Sequence, residues 1–296
     1  MKTEGYKSIA QSAIENVAVE HIEELLVSSM QPLERIEATE DEKKMYDEVK
    51  GRMRKTLKRH GLEDVLPGMQ LVFVKDEEVR IGHMGQTRRI EAMSPYASSE
   101  IWIHADTRHD SGKLRHVAGH EAWHRIADQP VRIGHVKEGL IGFVQTGVHR
   151  SRVDAGDIER QKSHFYGLNE AIAEKLNIES LGESVNSLKH GTYFGARMVL
   201  EDIINGLADH NGQPYEETWS SVVRGYVRGD YSFLNPLDAT FGPGSLRIVS
   251  QMTRTPPLEL EEYFDGKTTK ERRIALRKQL LVRVDSATTI IRGKII

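Results

Sequence analysis

Five polar side chains in this sequence have types and spacings suited to hydrolytic metal chemistry: His120, Glu121 and His124 in GHEAWHRIAD, and Glu170 and Glu174 in LNEAIAEKL. Positions four apart share one face of an α-helix, so His120 and His124 can offer two imidazole nitrogens to a single ion. Glu121 falls about 100° round the helix from His120. It flanks the histidine face and is placed to touch a water beside the ion rather than the ion itself. Zinc accepts His nitrogen and carboxylate oxygen in tetrahedral geometry, and a catalytic site keeps one of four positions for water. Two histidines therefore leave one protein ligand to find.

A third histidine six residues beyond the second would give the extended HExxHxxGxxH pattern. Here those places hold Ala127 and Pro130, so that extension is absent. His135, His149 and His164 follow, but in segments with no clear helical frame. Glu170 is the better candidate, because Leu168, Ala171, Ile172 and Leu176 share a helical face, with Asn169 near the start of the helix. Glu174 lies one turn further along the face of Glu170. A metal-bound imidazole usually gives its other N–H to a carboxylate or carbonyl, and Glu174 can supply that acceptor for His120.

HEAWH followed by NEAIAE resembles the gluzincin clan of zinc metallopeptidases, the thermolysin-like enzymes, over residues 98–176. The resemblance implies one zinc per chain held by His120, His124 and Glu170, with Glu174 orienting the first histidine where thermolysin has an aspartate. It implies peptide-bond hydrolysis with Glu121 as general base, passing its proton on to the leaving amine. The clan also uses a Tyr, His or Arg to stabilise the oxyanion. Tyr193 is the first candidate, since it opens a helix just after the metal motifs, followed by His190 and Tyr166. A strand ahead of the metal helix would form the rim of the cleft, where an extended substrate adds to its edge.

The surrounding elements must position these groups. LVFVKD (71–76) and EIWIHAD (100–106) read as strands, and EIWIHAD is the candidate rim strand. Asp110 or Ser111 can cap a helix running from about Lys113 to Asp128, ended by Pro130. The stretch 129–167 carries five glycines before Asp157 and much charge. It is expected to be an irregular or hairpin excursion over the cleft, a lid or a plain surface loop. Residues 6–28 and 40–60 show the three- and four-residue spacing of amphipathic helices. RMVLEDIINGLADH is expected to form a helix closed by Gly212, TWSSVVRGYVRGDYSFL to begin another, and FGPGS (241–245) to be a turn without a phosphate-binding pattern.

The expected fold is α+β and predominantly helical, with a small mixed sheet packed on the HExxH helix and a helical C-terminal subdomain. The expected organisation is an N-terminal helical region (1–66), a metal-binding core (67–190), a helical subdomain (191–266) and a basic C-terminal helix (267–296).

Composition removes several functional classes. The chain of 296 residues has no cysteine, which excludes disulfides and thiolate metal sites. No apolar run reaches the length of a membrane span, and the N-terminal segment lacks the apolar core of a signal peptide, so a cytoplasmic setting is expected. A net charge of −3 argues against general nucleic-acid binding. The basic segment KTTKERRIALRKQLLVRV is expected to dock its apolar side on the protein, with the acidic N-terminal helices or an acidic partner as candidate surfaces. Two other functions fit the same residues: a catalytically inactive interaction or regulatory protein stabilised by its metal, and a zinc hydrolase of a non-peptide bond. Glu121 argues against the first, because a structural zinc site needs no base.

Overall fold

In a computed structural model, the residues described are 34–293, except 64–65, 67, 76–78, 81–86, 89–91, 94–98, 137–138, 155–156, 183–192 and 254. The expected helix at 6–28 lies outside them. Their contacts divide the chain into two units. The first holds the described residues up to Arg52 with those of Val65–Thr146 and Arg150–Ser163; the second holds Met53–Asp64, Gly147–His149 and those from His164 onward.

In the first unit, a four-stranded mixed sheet has the order β1-β2-β6-β5 (Arg35–Glu37, Gln70–Val74, Glu100–His104, Ala92–Met93). β2 and β6 run parallel from Gln70↔Glu100 to Val74↔His104, and β1 and β5 pair antiparallel on the two sides. Central β6 is buried through Ile101, Trp102 and Ile103, as its apolar composition requires. A two-stranded ribbon, β3 (Val79–Arg80) and β4 (Thr87–Arg88), belongs to the same unit. α2 (Ser111–Ile126) packs on β6 and β5, so the sheet lies against the helix that carries HEAWH.

Of the two expectations for the stretch 129–167, irregular or hairpin, the structure has the second, extended to four strands. The stretch forms β7 (Asp128–Val136), β8 (Gly139–Thr146), β9 (His149–Asp154) and β10 (Asp157–His164), in the sheet order β10-β9-β8-β7. Chain neighbours are sheet neighbours, and β7 and β8 pair antiparallel with a register shift between Gln129 and Arg132. That shift brackets Pro130, which has no N–H for a ladder and is tolerated in strands at such irregularities. The β-branched residues Val131, Ile133, Ile141 and Val144 outweigh the glycines around them.

α1 (Glu40–Arg59) begins with a reciprocal cap: Glu42 N donates to Thr39 Oγ1 at 3.3 Å, and Thr39 N donates to Glu42 Oε2 at 2.7 Å. Tyr46, Val49, Met53 and Leu57 form its buried stripe. The division between the two units falls within this helix, at Arg52/Met53.

The second unit is helical. α3 (Tyr166–Leu181), α4 (Phe194–Asn211), α5 (Tyr215–Arg228), α6 (Leu237–Phe241), α7 (Ser245–Ser250), α8 (Leu258–Phe264) and α9 (Lys270–Gly293) follow in order. α4 is its centre, touching α3, α5, α6 and α8 through Val199, Leu200, Ile203, Ile204 and Leu207. It ends at Gly212, whose φ of 63° suits a residue without Cβ. The basic helix α9 buries Leu276 and Leu280 and packs on α8 and α7. Arg272 forms a two-bond pair with Glu262, both at 2.7 Å, and Arg283 donates to Glu259 at 2.8 Å. No helix of the described residues is long and apolar enough to cross a membrane.

Candidate metal centre

α2 is fixed at its start by what precedes it. The chain leaves β6 at His104 and makes a 3-10 turn over Ala105–His109; then Asp110 caps α2, its side chain accepting from Lys113 N at 2.9 Å. Arg108, in that turn, donates two bonds to Glu42 of α1 at 2.6 and 2.7 Å and lies 4.4 Å from the Phe73 ring centroid. Burial works against charge on Glu42, but this guanidinium holds its carboxyl below the usual range. The helix ends at Ile126, two residues before the expected Asp128, because β7 begins there.

Asn169 stands in the first turn of α3, as expected; its buried side chain accepts from Val148 N at 3.1 Å and His149 N at 3.3 Å, so it holds the turn between β8 and β9. The residue before α3, Phe165, has a φ of 61°, uncommon for a residue with a Cβ. Its N–H bonds Ser250 O at 2.8 Å, and Gly167 N bonds Met252 O at 2.9 Å. A Cβ at Gly167 would stand 2.3 Å from Thr253 O, so glycine is required for that approach. Leu168, Ala171, Ile172 and Leu176 are all fully buried, as their spacing predicts.

These helices supply a group of three ligands. One ligand atom from each of His120, His124 and Glu170 lies within 4.8 Å of the others. The three residues are 5%, 8% and 5% exposed, so the donors are sheltered from competing water. His120 Nε2 and His124 Nε2 are 3.1 Å apart, with rings 4.8 Å between centroids at 79°. Two nitrogen ligands of one tetrahedral zinc stand about 3.3 Å apart, so this pair already has a ligand spacing. Two imidazoles and a carboxylate, buried together, form a group that can hold a metal ion.

The remaining sequence candidates are placed as follows. Glu121 is half-buried on α2 beside His120. Glu174 is buried one turn beyond Glu170 on α3. Burying two carboxylates a turn apart is costly unless cations or donors face them. Tyr193 immediately precedes α4 and is half-buried, its carbonyl accepting from Arg197 N at 2.9 Å. Tyr166 opens α3 one turn before Glu170, its ring 5.4 Å from that of His149. His190 lies outside the described residues. Among the described side chains, His149 and His164 are not members of the three-ligand group, and the side chain of His135 lies outside those described. The candidate rim strand β6 has β5 on its outer side, pairing with Trp102 and Ile103.

Sequence reading missed a second polar cluster. His60, just after α1, is buried, with Nδ1 2.9 Å from Ser220 Oγ and Nε2 3.2 Å from Glu179 Oε1. Trp219 Nε1 donates to Glu179 Oε2 at 3.0 Å, and Arg59 pairs with Glu179 at 3.2 Å. Nothing in the spacing of five residues spread over about 160 positions signals this cluster; only the basic end of α1 and the third acid of α3 hint at it.

No family model matches this chain, and no curated protein or solved structure matches it either.

Proposed function

We propose that the protein is a zinc-dependent peptidase of gluzincin type, working in the cytoplasm. The observation that carries this reading is the buried group of His120, His124 and Glu170, with two ligands from an HExxH helix and one from a second helix. Zinc bound there would polarise a substrate carbonyl and lower the pKa of water towards neutrality. Glu121, next to His120 but outside the ligand set, takes the proton of the attacking water and delivers it to the departing amine. Glu174 holds the ligand imidazole in orientation by accepting its outer N–H. Tyr193 donates its hydroxyl to the oxyanion that forms as the carbonyl carbon becomes tetrahedral.

Retention of a carboxylate at position 121 favours catalysis over a metal kept for stability alone. The test is a screen of zinc-loaded protein against a mixed peptide library, with Glu121→Gln as blank. Cleavage by the parent alone, at equal zinc content, is the expected result. Cleavage that survives in Glu121→Gln overturns the assigned base, and a parent that binds zinc but cuts no peptide overturns the peptidase reading.

A further inference from the structure

α3 carries Glu170, yet its apolar burial does not fix which way Glu170 points. Every residue from Gly167 to Leu181 is buried except Lys175 and Glu179. A helix buried all round has no single apolar stripe to set its rotation, while a ligand must be held to within about 10–20° of its working direction. Polar contacts must supply that setting.

The two exceptions stand opposite the ligand. Glu179 is nine residues beyond Glu170, which places it about 180° round the helix, and Lys175 is about 140° round. Glu179 accepts from Trp219 Nε1 at 3.0 Å, pairs with Arg59 at 3.2 Å and meets His60 Nε2 at 3.2 Å. If His60 Nε2 gives its proton to Glu179, Nδ1 is left to accept from Ser220 Oγ at 2.9 Å. Lys175 Nζ pairs with Glu201 at 2.7 Å and lies 5.0 Å from the Trp219 ring centroid. The residue after α1, the back of α3 and the start of α5 are thus tied at one carboxylate. Such registry is the best-attested use of buried polar groups in an otherwise apolar setting.

We infer that Glu179, with His60 and Trp219, is a clamp that sets the rotation of α3 and so aims Glu170 at the metal. Glu179 is a positioning residue and touches neither metal nor substrate. The inference rests on the metal-binding reading of His120, His124 and Glu170.

The experiment measures zinc affinity of the full chain by competition with a chromophoric chelator, together with the visible spectrum of the cobalt form and the melting temperature. Glu179→Leu keeps bulk but removes the clamp; it is expected to weaken zinc about tenfold or more and to change the cobalt spectrum. Glu179→Gln keeps an oxygen to accept from Trp219 Nε1 and turns an amide N–H to donate to His60 Nε2, whose proton then sits on Nδ1 facing Ser220 Oγ; its zinc affinity is expected to stay well above that of Glu179→Leu. Phe264→Leu, in the core away from the clamp, is expected to lower the melting temperature while leaving zinc affinity in place. If Glu179→Leu does not fold, Trp219→Phe removes the indole donor and is expected to weaken zinc severalfold. Parental affinity in the foldable clamp variant, or equal weakening in Phe264→Leu, overturns the clamp. A parent that binds no zinc overturns the metal reading instead, and the clamp's purpose with it.

Discussion

His120 and His124 bring their Nε2 atoms to 3.1 Å across one turn of α2. Two imidazole nitrogens rest this close only when one donates to the other or when both face a shared cation. Glu170, the third member of the group, is buried with them. A buried carboxylate beside two imidazoles is a donor set suited to zinc rather than to magnesium or calcium, which take oxygen ligands.

Purified protein is therefore expected to carry about one zinc per chain, read by elemental analysis. Glu170→Ala should weaken zinc by more than the roughly 10–100-fold typical of changes to outer-shell partners. Unchanged metal content would reassign the third ligand.

Tyr193→Phe tests the oxyanion role. Tyr193 sits just before α4 with its backbone carbonyl bonded to Arg197 N, a bond that loss of the hydroxyl leaves in place. Turnover number on a cleaved peptide should fall about 100-fold, the usual cost of one oxyanion donor, with zinc content unchanged. A turnover number equal to the parent's removes Tyr193 from the mechanism.

How much of this was legible beforehand follows from the range of the interactions. The HExxH face, the Glu170 face and the caps at Asp110 and Gly212 are set by residues three or four apart, and spacing reveals them. α1 was readable for the same reason, and β2 and β6 as separate strands from their β-branched and aromatic runs between polar breaks. For β7–β10 the sequence left an irregular loop and a hairpin both open, because glycines that resemble loop punctuation also occur in strands, whose pairing depends on partners elsewhere in the chain. Asn169 stands near the start of α3, as its place in the sequence predicts, but its side chain accepts from Val148 N and His149 N, some twenty residues away, which local spacing does not show. The Glu179 cluster is longer in range still, and no local pattern marks it.

Asn169→Ala provides a stability test of that long-range contact. It would leave two backbone N–H groups of the turn after β8 without their acceptor, at about 1–3 kcal/mol for each that stays buried. Denaturant unfolding should show the loss, whereas a mere cap on α3 would cost about 1 kcal/mol. Gly147 strengthens the case: its φ is 57°, and a Cβ there would stand 2.5 Å from Asn169 Oδ1 and 2.3 Å from Tyr226 Cε2. Gly147→Ala should therefore destabilise the same turn.

The last prediction concerns pH. Burial on α4, with Asp265, Glu201 and Glu261 as acidic neighbours, pushes the Asp202 carboxyl up to about 6 from 3.8. The folded state thus holds a proton that the unfolded chain releases, so this residue subtracts stability as pH rises from about 4 to 6. The loss is complete above that window and absent below it. Because Asp202 is only half-buried, solvent screening reduces the effect to the order of 1 kcal/mol. Asp202→Asn should raise the melting temperature at pH 7.5 by a few degrees and change it little at pH 4.5. An equal gain at both pH values would mean that the substitution acts by packing and not by removing a disfavoured charge.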